Sequence, residues 1–273
     1  MEDIKRKGAR STKDIPFSIL EQLNKGEIET ANLVEWLAVN QVVLLENLLK
    51  ELGRMKYLQP ILEDIQNLKK QTVNTINEAI GTGLLHQSIL NNDKVLFSII
   101  SKHKSDLVRC WSAYVIGKNT ELSIEEILRK IQFLAADKHF GVREISWLAV
   151  RSCILNNLHK SLEILLKWTI NEDENIRRFA TEATRPRGVW CEHIDALKTY
   201  PELGLRILES LKSDSSKYVQ DSVGNWLNDA SKTRPDFVKD LCEKWQIESS
   251  KKETAYIVKK ALRTIEKELT KQS

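Results

Sequence analysis

The feature that most constrains this chain is a segment that recurs at nearly constant spacing from about residue 100 onwards. In most copies a turn containing Asp is followed by a β-branched residue, a basic or polar residue, and a helix with apolar periodicity. The β-branched anchors are 34, 34, 43 and 39 residues apart, which is the length of one helix pair. The pattern predicts helix pairs that stack one after another, with these anchors in the shared core. The anchors are Val108, Val142, Ile176, Val219 and Val258.

Composition supports the same architecture. The 273 residues include only 10 Gly and 5 Pro, a scarcity that favours long helices over turn-rich β structure. Solenoids of the HEAT class repeat at about the observed period. We therefore expect an all-α, HEAT-like helical-repeat solenoid with a concave face, forming a single domain over residues 1–273. Within it, residues 1–100 would form the N-terminal helices and residues 101–273 the clear repeats.

The N-terminal third shows apolar stripes at helical spacing without a clear repeat phase. The segment Asp14, Ile15 and Pro16 predicts a helix start, because proline is favoured at an early helical position. Tryptophans of the repeats are expected in the core. The residues concerned are Leu33, Trp36, Leu37, Leu44, Leu45 and Leu48 in one stripe, Leu58, Ile61, Leu62, Ile65 and Leu68 in another, and the core tryptophans Trp111, Trp168, Trp226 and Trp245.

Several functional classes find no support in the sequence. The formal net charge of +4 is too small to indicate nucleic acid by itself. The four cysteines lie apart without metal-ligand spacing, and no phosphate-binding glycine loop or Ser-His-Asp arrangement occurs, so we expect neither metal nor cofactor. No apolar run reaches the roughly 18 residues of a membrane span, and the polar N-terminus lacks a signal-peptide pattern. A cytoplasmic protein without membrane contact is expected.

Helical-wheel placement predicts which side chains lie opposite the anchors. In the helix of Val142, the far side carries Glu144, Trp147 and Arg151, with Phe140 one turn before the glutamate. A carboxylate, two aromatics and an arginine would thus share one face. Alternatively, Glu144 forms an exposed ion pair with its neighbour Arg143, which contributes little.

The following helices predict a basic and polar continuation of that face. Three arginines on one short stretch repel each other unless an anion or acidic group neutralises them, and Glu182 is expected to neutralise only one. The alternative for Arg177 and Arg178 is a solvated basic position of the repeat. In a solenoid, equivalent positions of successive helices line one continuous concave surface. The candidates are Arg178, Arg185, Arg187, Trp190, Asn225, Asn228, Lys260 and Arg263, together with the carboxylate of Asp221.

Four blocks resemble one family throughout most of the chain. The stretch RRFATEATRPRGVW is similar to the signature of HEAT-repeat DNA alkylation repair glycosylases of the AlkC type. So are HFGVREISW, YVQDSVGNWLNDASKTRPD and the opening KGARSTKDIP with LNKGEIETANLVEWLAVN. AlkD-type enzymes are more distant relatives. A C-terminal immunoglobulin-like domain, present in some AlkC-type proteins, is not expected here.

The resemblance implies a bacterial base-excision enzyme that removes cationic N-alkylated bases such as 3-methyladenine from double-stranded DNA. It implies that the lesion is processed without the deep base flipping usual for glycosylases, and the expected protein is a monomer with no obligate protein partner. Phe140 and Glu144 match an aromatic and a carboxylate of AlkD-type sites, and Arg178 matches a DNA-contacting arginine. Asn225 occupies the position of a second AlkD tryptophan, so this chain departs from that two-tryptophan arrangement.

A catalytic and a non-catalytic function remain open at this stage. In the first, Glu144, Phe140 and Trp147 are catalytic: the carboxylate stabilises positive charge on the sugar, and the aromatic faces favour the cation. DNA phosphates and base edges would be contacted by Arg151, Arg178, Arg185, Arg187, Trp190, Asn225, Asn228, Lys260 and Arg263. In the second, a HEAT-repeat module binds DNA structures or a protein without excision.

Overall fold

The computed structural model describes residues 6–272, apart from the side chains at positions 268, 269, 271 and 272. Within this range the chain forms seventeen α-helices and three short 3-10 helices, and no β-strand. No described helix is long and apolar enough to cross a membrane. Backbone contacts divide the chain into two compact units, the first of residues 1–121 and 137–149 and the second of residues 122–136 and 150–273.

The first unit contains eight helices. They are α1 (Phe17–Asn24), α2 (Leu33–Ala38), α3 (Gln41–Glu51), α4 (Leu58–Gln66), α5 (Val73–Leu90), α6 (Leu96–Ile100), α7 (Asp106–Gly117) and α9 (Phe140–Ala149).

The second unit contains the remaining nine. They are α8 (Ile124–Ala135), α10 (Arg151–Asn156), α11 (Leu158–Trp168), α12 (Glu174–Glu182), α13 (Asp195–Thr199), α14 (Leu205–Leu211), α15 (Lys217–Ala230), α16 (Pro235–Glu248) and α17 (Lys252–Gln272). The short 3-10 helices are Thr12–Asp14 and Met55–Tyr57 in the first unit and Pro201–Gly204 in the second.

Helices α5, α7 and α9 pack in sequence through the middle of the first unit. Every residue of α7 is buried, because the helix has neighbours on both sides. Gly81 of α5 lies so close to α7 that a Cβ would overlap the backbone oxygen of Trp111 and the Cβ of Tyr114. The glycine thus permits the close approach of the two helices.

The second unit has two rows of helices. Helices α12, α15 and α17 pack in one row, and α8, α11 and α14 pack in the other. All five anchors are buried, three of them in this unit, which confirms the repeat phase. The four tryptophans expected in the core are buried as well. In the N-terminal stripe, however, Leu33 and Leu37 are about half exposed, at 49% and 50%.

The residue after the anchor has a structural role in both units. Arg109 Nη1 donates to the turn carbonyls of His103 and Lys104, and its Nε donates to Asp137 at 2.8 Å. Arg177 repeats the arrangement, because its Nη1 donates to two carbonyls of the preceding turn and its Nε to Asp214 at 2.7 Å. The alternative of a solvated position is therefore wrong for Arg177. In these two repeats the basic residue after the anchor joins its own turn to the turn of the next repeat.

Candidate active site and nucleic-acid interface

The start of α9 is fixed by a buried imidazole. His139 Nδ1 lies 3.1 Å from the backbone nitrogen of Gly141, whose N–H points to it, and its Nε2 lies 2.8 Å from the carbonyl oxygen of Thr30. The carboxylate of Asp106, buried beside it, accepts from the Thr30 backbone N–H at 2.9 Å. These bonds hold the first turn of α9, where Phe140 lies half-buried with its ring centroid 4.6 Å from that of His139.

Glu144 follows Phe140 by one turn and is half-buried. Its Oε2 accepts a hydrogen bond from Trp147 Nε1 at 2.9 Å. A side chain at i and one at i+3 share a helix face, which explains how the indole reaches the carboxylate. One carboxylate oxygen of Glu144 is thus held by a donor on its own helix.

Trp147 differs from the expected exposed aromatic. It is only 6% exposed, so its ring faces are covered by the protein. A covered ring does not offer its face to a ligand cation, and the prediction of that role is wrong. Through its N–H, Trp147 instead orients the carboxylate of Glu144.

Arg151 was expected to bind phosphate, and the structure gives it another role. The helix that contains Glu144 ends at Ala149, and a new helix begins at Arg151, so the wheel does not continue through this residue. Arg151 is 2% exposed, and its guanidinium donates to the backbone carbonyls of Ala183, Arg185 and Glu192 at 2.6–3.1 Å. Burial lowers the pKa of Arg151 from its ordinary value. The residue is a buried support for the chain that follows α12.

A buried acidic residue neutralises the arginine cluster more completely than expected. Glu182, 5% exposed, lies 2.9 Å from Arg185 Nη1 and 3.5 Å from Arg178 Nη2, and it accepts a hydrogen bond from Ser222 at 2.8 Å. Asp229 lies 2.8 Å from Arg185 Nη2. Burial opposes ionisation of Glu182, but the charges of the two arginines and the hydrogen bonds from Arg185 and Ser222 outweigh it and hold the pKa of Glu182 below its ordinary value.

These buried carboxylates explain why the neighbouring arginines do not repel each other. They also correct the expectation that Glu182 neutralises only one arginine. Glu182 neutralises two arginines, and Asp229, which the wheel did not single out, neutralises one of them a second time. Arg185 is consequently committed to internal ion pairs. Arg178 lies with its guanidinium carbon 4.2 Å from the ring centroid of Tyr218, a cation–π contact. The spacing of Glu182, four residues after Arg178 and three before Arg185, was the available signal.

Two other predicted DNA contacts lie in a loop. Arg187 is half-buried, and its Nε is buried and makes no hydrogen bond among the described residues. Trp190 is 82% exposed and has a positive φ of 58°. The structure therefore leaves the Trp190 side chain accessible to a ligand.

The last predicted contacts divide between surface and interior. Asn228 is buried, and its Oδ1 accepts hydrogen bonds from the backbone N–H and the hydroxyl of Thr264, so it joins α15 to α17 and does not reach a ligand. Asn225 Oδ1 accepts from the exposed Arg263 at 3.0 Å. Lys260 Nζ lies 2.6 Å from Asp221, which neutralises part of its charge.

Asp221 is held in its ionised form by its neighbours. It accepts hydrogen bonds from Lys260 and from the hydroxyl of Tyr256, at 2.6 and 2.7 Å. Burial opposes ionisation, but the two donors lower the pKa of Asp221 below its ordinary value. Across the described residues, no group of three or more His, Cys, Asp or Glu side chains is arranged to hold a metal ion.

Part of the chain is similar to a known protein family and to a protein of Bacillus subtilis. Residues 144–265, which begin at the candidate carboxylate, match the family described as "DNA alkylation repair enzyme". An uncharacterized protein of Bacillus subtilis, YhaZ, is 41% identical over 140 residues, which is 51% of this chain and 39% of that protein. The chain thus spans well under half the length of this relative.

Solved structures show the same fold. The Pseudomonas fluorescens alkylpurine DNA glycosylase AlkC, bound to DNA containing an abasic site analog, matches with a TM-score of 0.65 over 94% of this chain and 65% of its own, at 23% identity. AlkD2 from Streptococcus mutans matches with a TM-score of 0.56 over 76% of this chain and 96% of its own, at 25% identity. The predicted all-α, HEAT-like repeat fold is confirmed.

Proposed function

We propose that this chain is a DNA glycosylase of the AlkC/AlkD type, since residues 144–265 match the DNA alkylation repair family, and that it removes cationic N-alkylated bases, 3-methyladenine among them, from double-stranded DNA. The observation that carries the proposal is the Glu144 carboxylate, held by the Trp147 indole N–H one turn after Phe140. Processing without deep base flipping remains a prediction from the resemblance.

The chemistry of the leaving base determines what the protein must supply. Alkylation at a ring nitrogen gives the base a positive charge, so it departs as a neutral molecule without a proton donor. Breaking the glycosidic bond transfers positive charge to the sugar, as in other glycosyl transfers. A water molecule then attacks the sugar carbon and forms the new C–O bond, and its proton passes to the solvent. The reaction therefore needs a fixed negative charge near the sugar more than it needs an acid.

Glu144 has the properties that this step requires. Its half-buried position lowers the local dielectric constant, so its attraction for a nearby cation exceeds that of a fully solvated carboxylate. The hydrogen bond from Trp147 fixes one oxygen before substrate binds, and preorganised charge of this kind is commonly the largest catalytic contribution. Phe140, one turn away, is the aromatic expected beside the cation.

DNA contact is assigned to the residues of the second unit that remain accessible. The half-buried Arg187 and the exposed Arg263 are proposed to bind phosphates through the accessible parts of their side chains. Lys260 and Arg178 add weaker contacts because each already lies against a carboxylate, and Asn225 adds a weaker one because it carries no charge. These side chains would contribute a sequence-independent, salt-dependent affinity.

Release of base from methylated DNA tests the function directly. Duplex DNA treated with a methylating agent is incubated with the protein, and the free bases are separated by chromatography. We expect 3-methyladenine in the soluble fraction, with 7-methylguanine and 3-methylcytosine measured in the same run to define specificity. Binding to this DNA without release of any methylated base would instead support the non-catalytic DNA-binding function.

A further inference from the structure

The exposed Trp190 stands apart from all other tryptophans of the chain. The sequence contains seven, and the other six are at most 7% exposed, whereas Trp190 is 82% exposed. Its neighbour Val189 is half exposed. Its φ of 58° lies in the left-handed region, which is unfavourable for a non-glycine residue. Exposure and backbone conformation both carry a cost, and such costs concentrate at functional sites.

The segment that carries Trp190, residues 186–194, is fastened at both ends. The backbone N–H of Ile194 donates to the carbonyl of Pro186 at 3.1 Å, and the Ile194 side chain is buried. Beneath it, the Arg151 guanidinium donates to Arg185 O at 2.6 Å and to Glu192 O at 3.1 Å. We call this segment the tryptophan loop.

Packing inside the tryptophan loop adds to this restraint. A Cβ at Gly188 would overlap the Cys191 sulfur, so the chain is tightly folded two residues before the tryptophan. The fastened ends and the internal packing restrict the directions in which Trp190 can turn. The loop therefore presents its indole on a supported backbone.

We propose that Trp190 stacks on a nucleobase that has lost its stacking neighbour at or beside the lesion, and so directs the protein to damaged sites in DNA. The inference rests on the proposed function and extends it from DNA binding to lesion recognition. In an intact duplex every base is covered on both faces, and an indole gains little there. Where a base is missing or loosened, an exposed base face is available to an aromatic side chain.

The charges of the loop favour a base over other ligands. The half-buried Arg187 brings a positive charge, which suits a phosphate next to the stacked base. The exposed Glu192 and Asp195 follow, and Lys198 lies 2.7 Å from Asp195 and neutralises it. Because the loop carries charges of both signs, its electrostatic attraction for the DNA backbone as a whole is weak. The exposed Glu192 also opposes an anionic membrane surface, whereas neither property prevents stacking on one base.

Tryptophan fluorescence reports on this contact in the unmodified protein. Because the other six indoles are buried, the emission that iodide can quench belongs to Trp190. Addition of duplex DNA with a stable abasic-site analogue should reduce this emission and protect it from iodide. The same duplex without the analogue should have a smaller effect. Trp190→Phe, which lacks the accessible indole, should show no iodide-sensitive component and identifies its source.

Affinity measurements test whether the contact selects damaged sites. We expect Trp190→Ala to reduce the preference for abasic-analogue DNA over intact duplex about fivefold or more, since stacking on one base has roughly this effect. Trp190→Phe should keep most of the preference. Ile170→Ala, which removes another apolar side chain that is 82% exposed, is the matched control and should keep it fully.

The outcomes separate this inference from the proposed function. An unchanged preference in Trp190→Ala, or iodide-accessible emission that abasic DNA does not protect, would overturn the role of Trp190 even if methylated bases are released. Protein that neither binds nor cuts methylated DNA would overturn the proposed function first. Equal loss of preference in Ile170→Ala would show that any exposed apolar side chain has this effect, and would also overturn the inference.

Discussion

Arg151 provides a quantitative test of the structure, because its sequence-based and structural roles predict opposite results. Arg151→Met keeps most of the apolar stem and removes the guanidinium. Three backbone carbonyls, those of Ala183, Arg185 and Glu192, then lose their donor. The bond to Ala183 is fully buried, and an unsatisfied buried acceptor costs about 1–3 kcal/mol.

The other two carbonyls are partly accessible to water, so their loss adds less. Removing a buried charge also regains part of its desolvation cost, which burial imposes on Arg151 and which lowers its pKa. The sum is a destabilisation of about 2–3 kcal/mol. Arg151→Lys, which retains one charge but cannot reach three carbonyls at once, should lie between Arg151→Met and the unaltered protein.

Urea unfolding followed by circular dichroism measures this difference, and DNA affinity over a series of salt concentrations is measured in parallel. We expect a clear loss of unfolding free energy in Arg151→Met. An unfolding free energy within about 0.5 kcal/mol of the unaltered protein would contradict the buried support. If the slope of log affinity against log salt then fell by about one, phosphate binding by Arg151 would be the better account.

Two further predictions concern pH and salt. Because the arginines hold the folded-state pKa of Glu182 below its ordinary value of 4.5 despite burial, its carboxylate stabilises the fold above about pH 4.5 and that contribution is lost as the pH falls through the folded pKa. Urea midpoints from pH 7 to pH 3 should therefore fall less in Glu182→Gln than in the unaltered protein, and parallel profiles would contradict this. Arg187→Gln and Arg263→Gln should each lower the salt slope of DNA binding by about one in anisotropy titrations, and unchanged slopes would remove both from the interface.

The repeat phase could be predicted from sequence because it depends on burial. Val108, Val142 and Val219 are each fully buried, since a helix that packs between two others must place apolar residues at one recurring position. The basic residue after the anchor recurs for a different reason. Arg109 and Arg177 bind turn carbonyls and an aspartate of the next turn, which are contacts that no single helix reveals.

For the site residues, the sequence predicted correctly only which side of a single helix each side chain occupies. Glu144 lies where the wheel places it and shares the same α9 with Trp147. Arg151 follows a break at Val150, so extending the wheel assigned it to the wrong surface. Asn228 lies on α15 as expected, but α17 packs against that side and Thr264 takes its oxygen. Helical phase thus predicts the side of a helix on which a side chain lies. It does not predict which neighbouring helix covers that side, because that depends on tertiary packing.

The grouping of all candidate residues on one continuous concave surface remains a prediction. Glu144 belongs to the first unit, while Arg187, Trp190 and Arg263 belong to the second. Whether these residues act on the same DNA molecule must therefore be tested by measurements of base release and DNA binding. If one variant loses base release but still binds DNA, and other variants lose DNA binding, then catalysis and DNA binding belong to separate residues.

The most direct test of the central claim is the single-turnover rate of base release by Glu144→Gln. The amide keeps the size of the side chain and can still meet the Trp147 N–H, but it lacks the negative charge. The protein is in saturating excess over a duplex that contains 3-methyladenine. We expect base release to slow by about 100-fold or more, with the affinity for DNA retained. Release within about threefold of the unaltered rate would show that the carboxylate does not stabilise the sugar cation, and the proposed mechanism would be wrong.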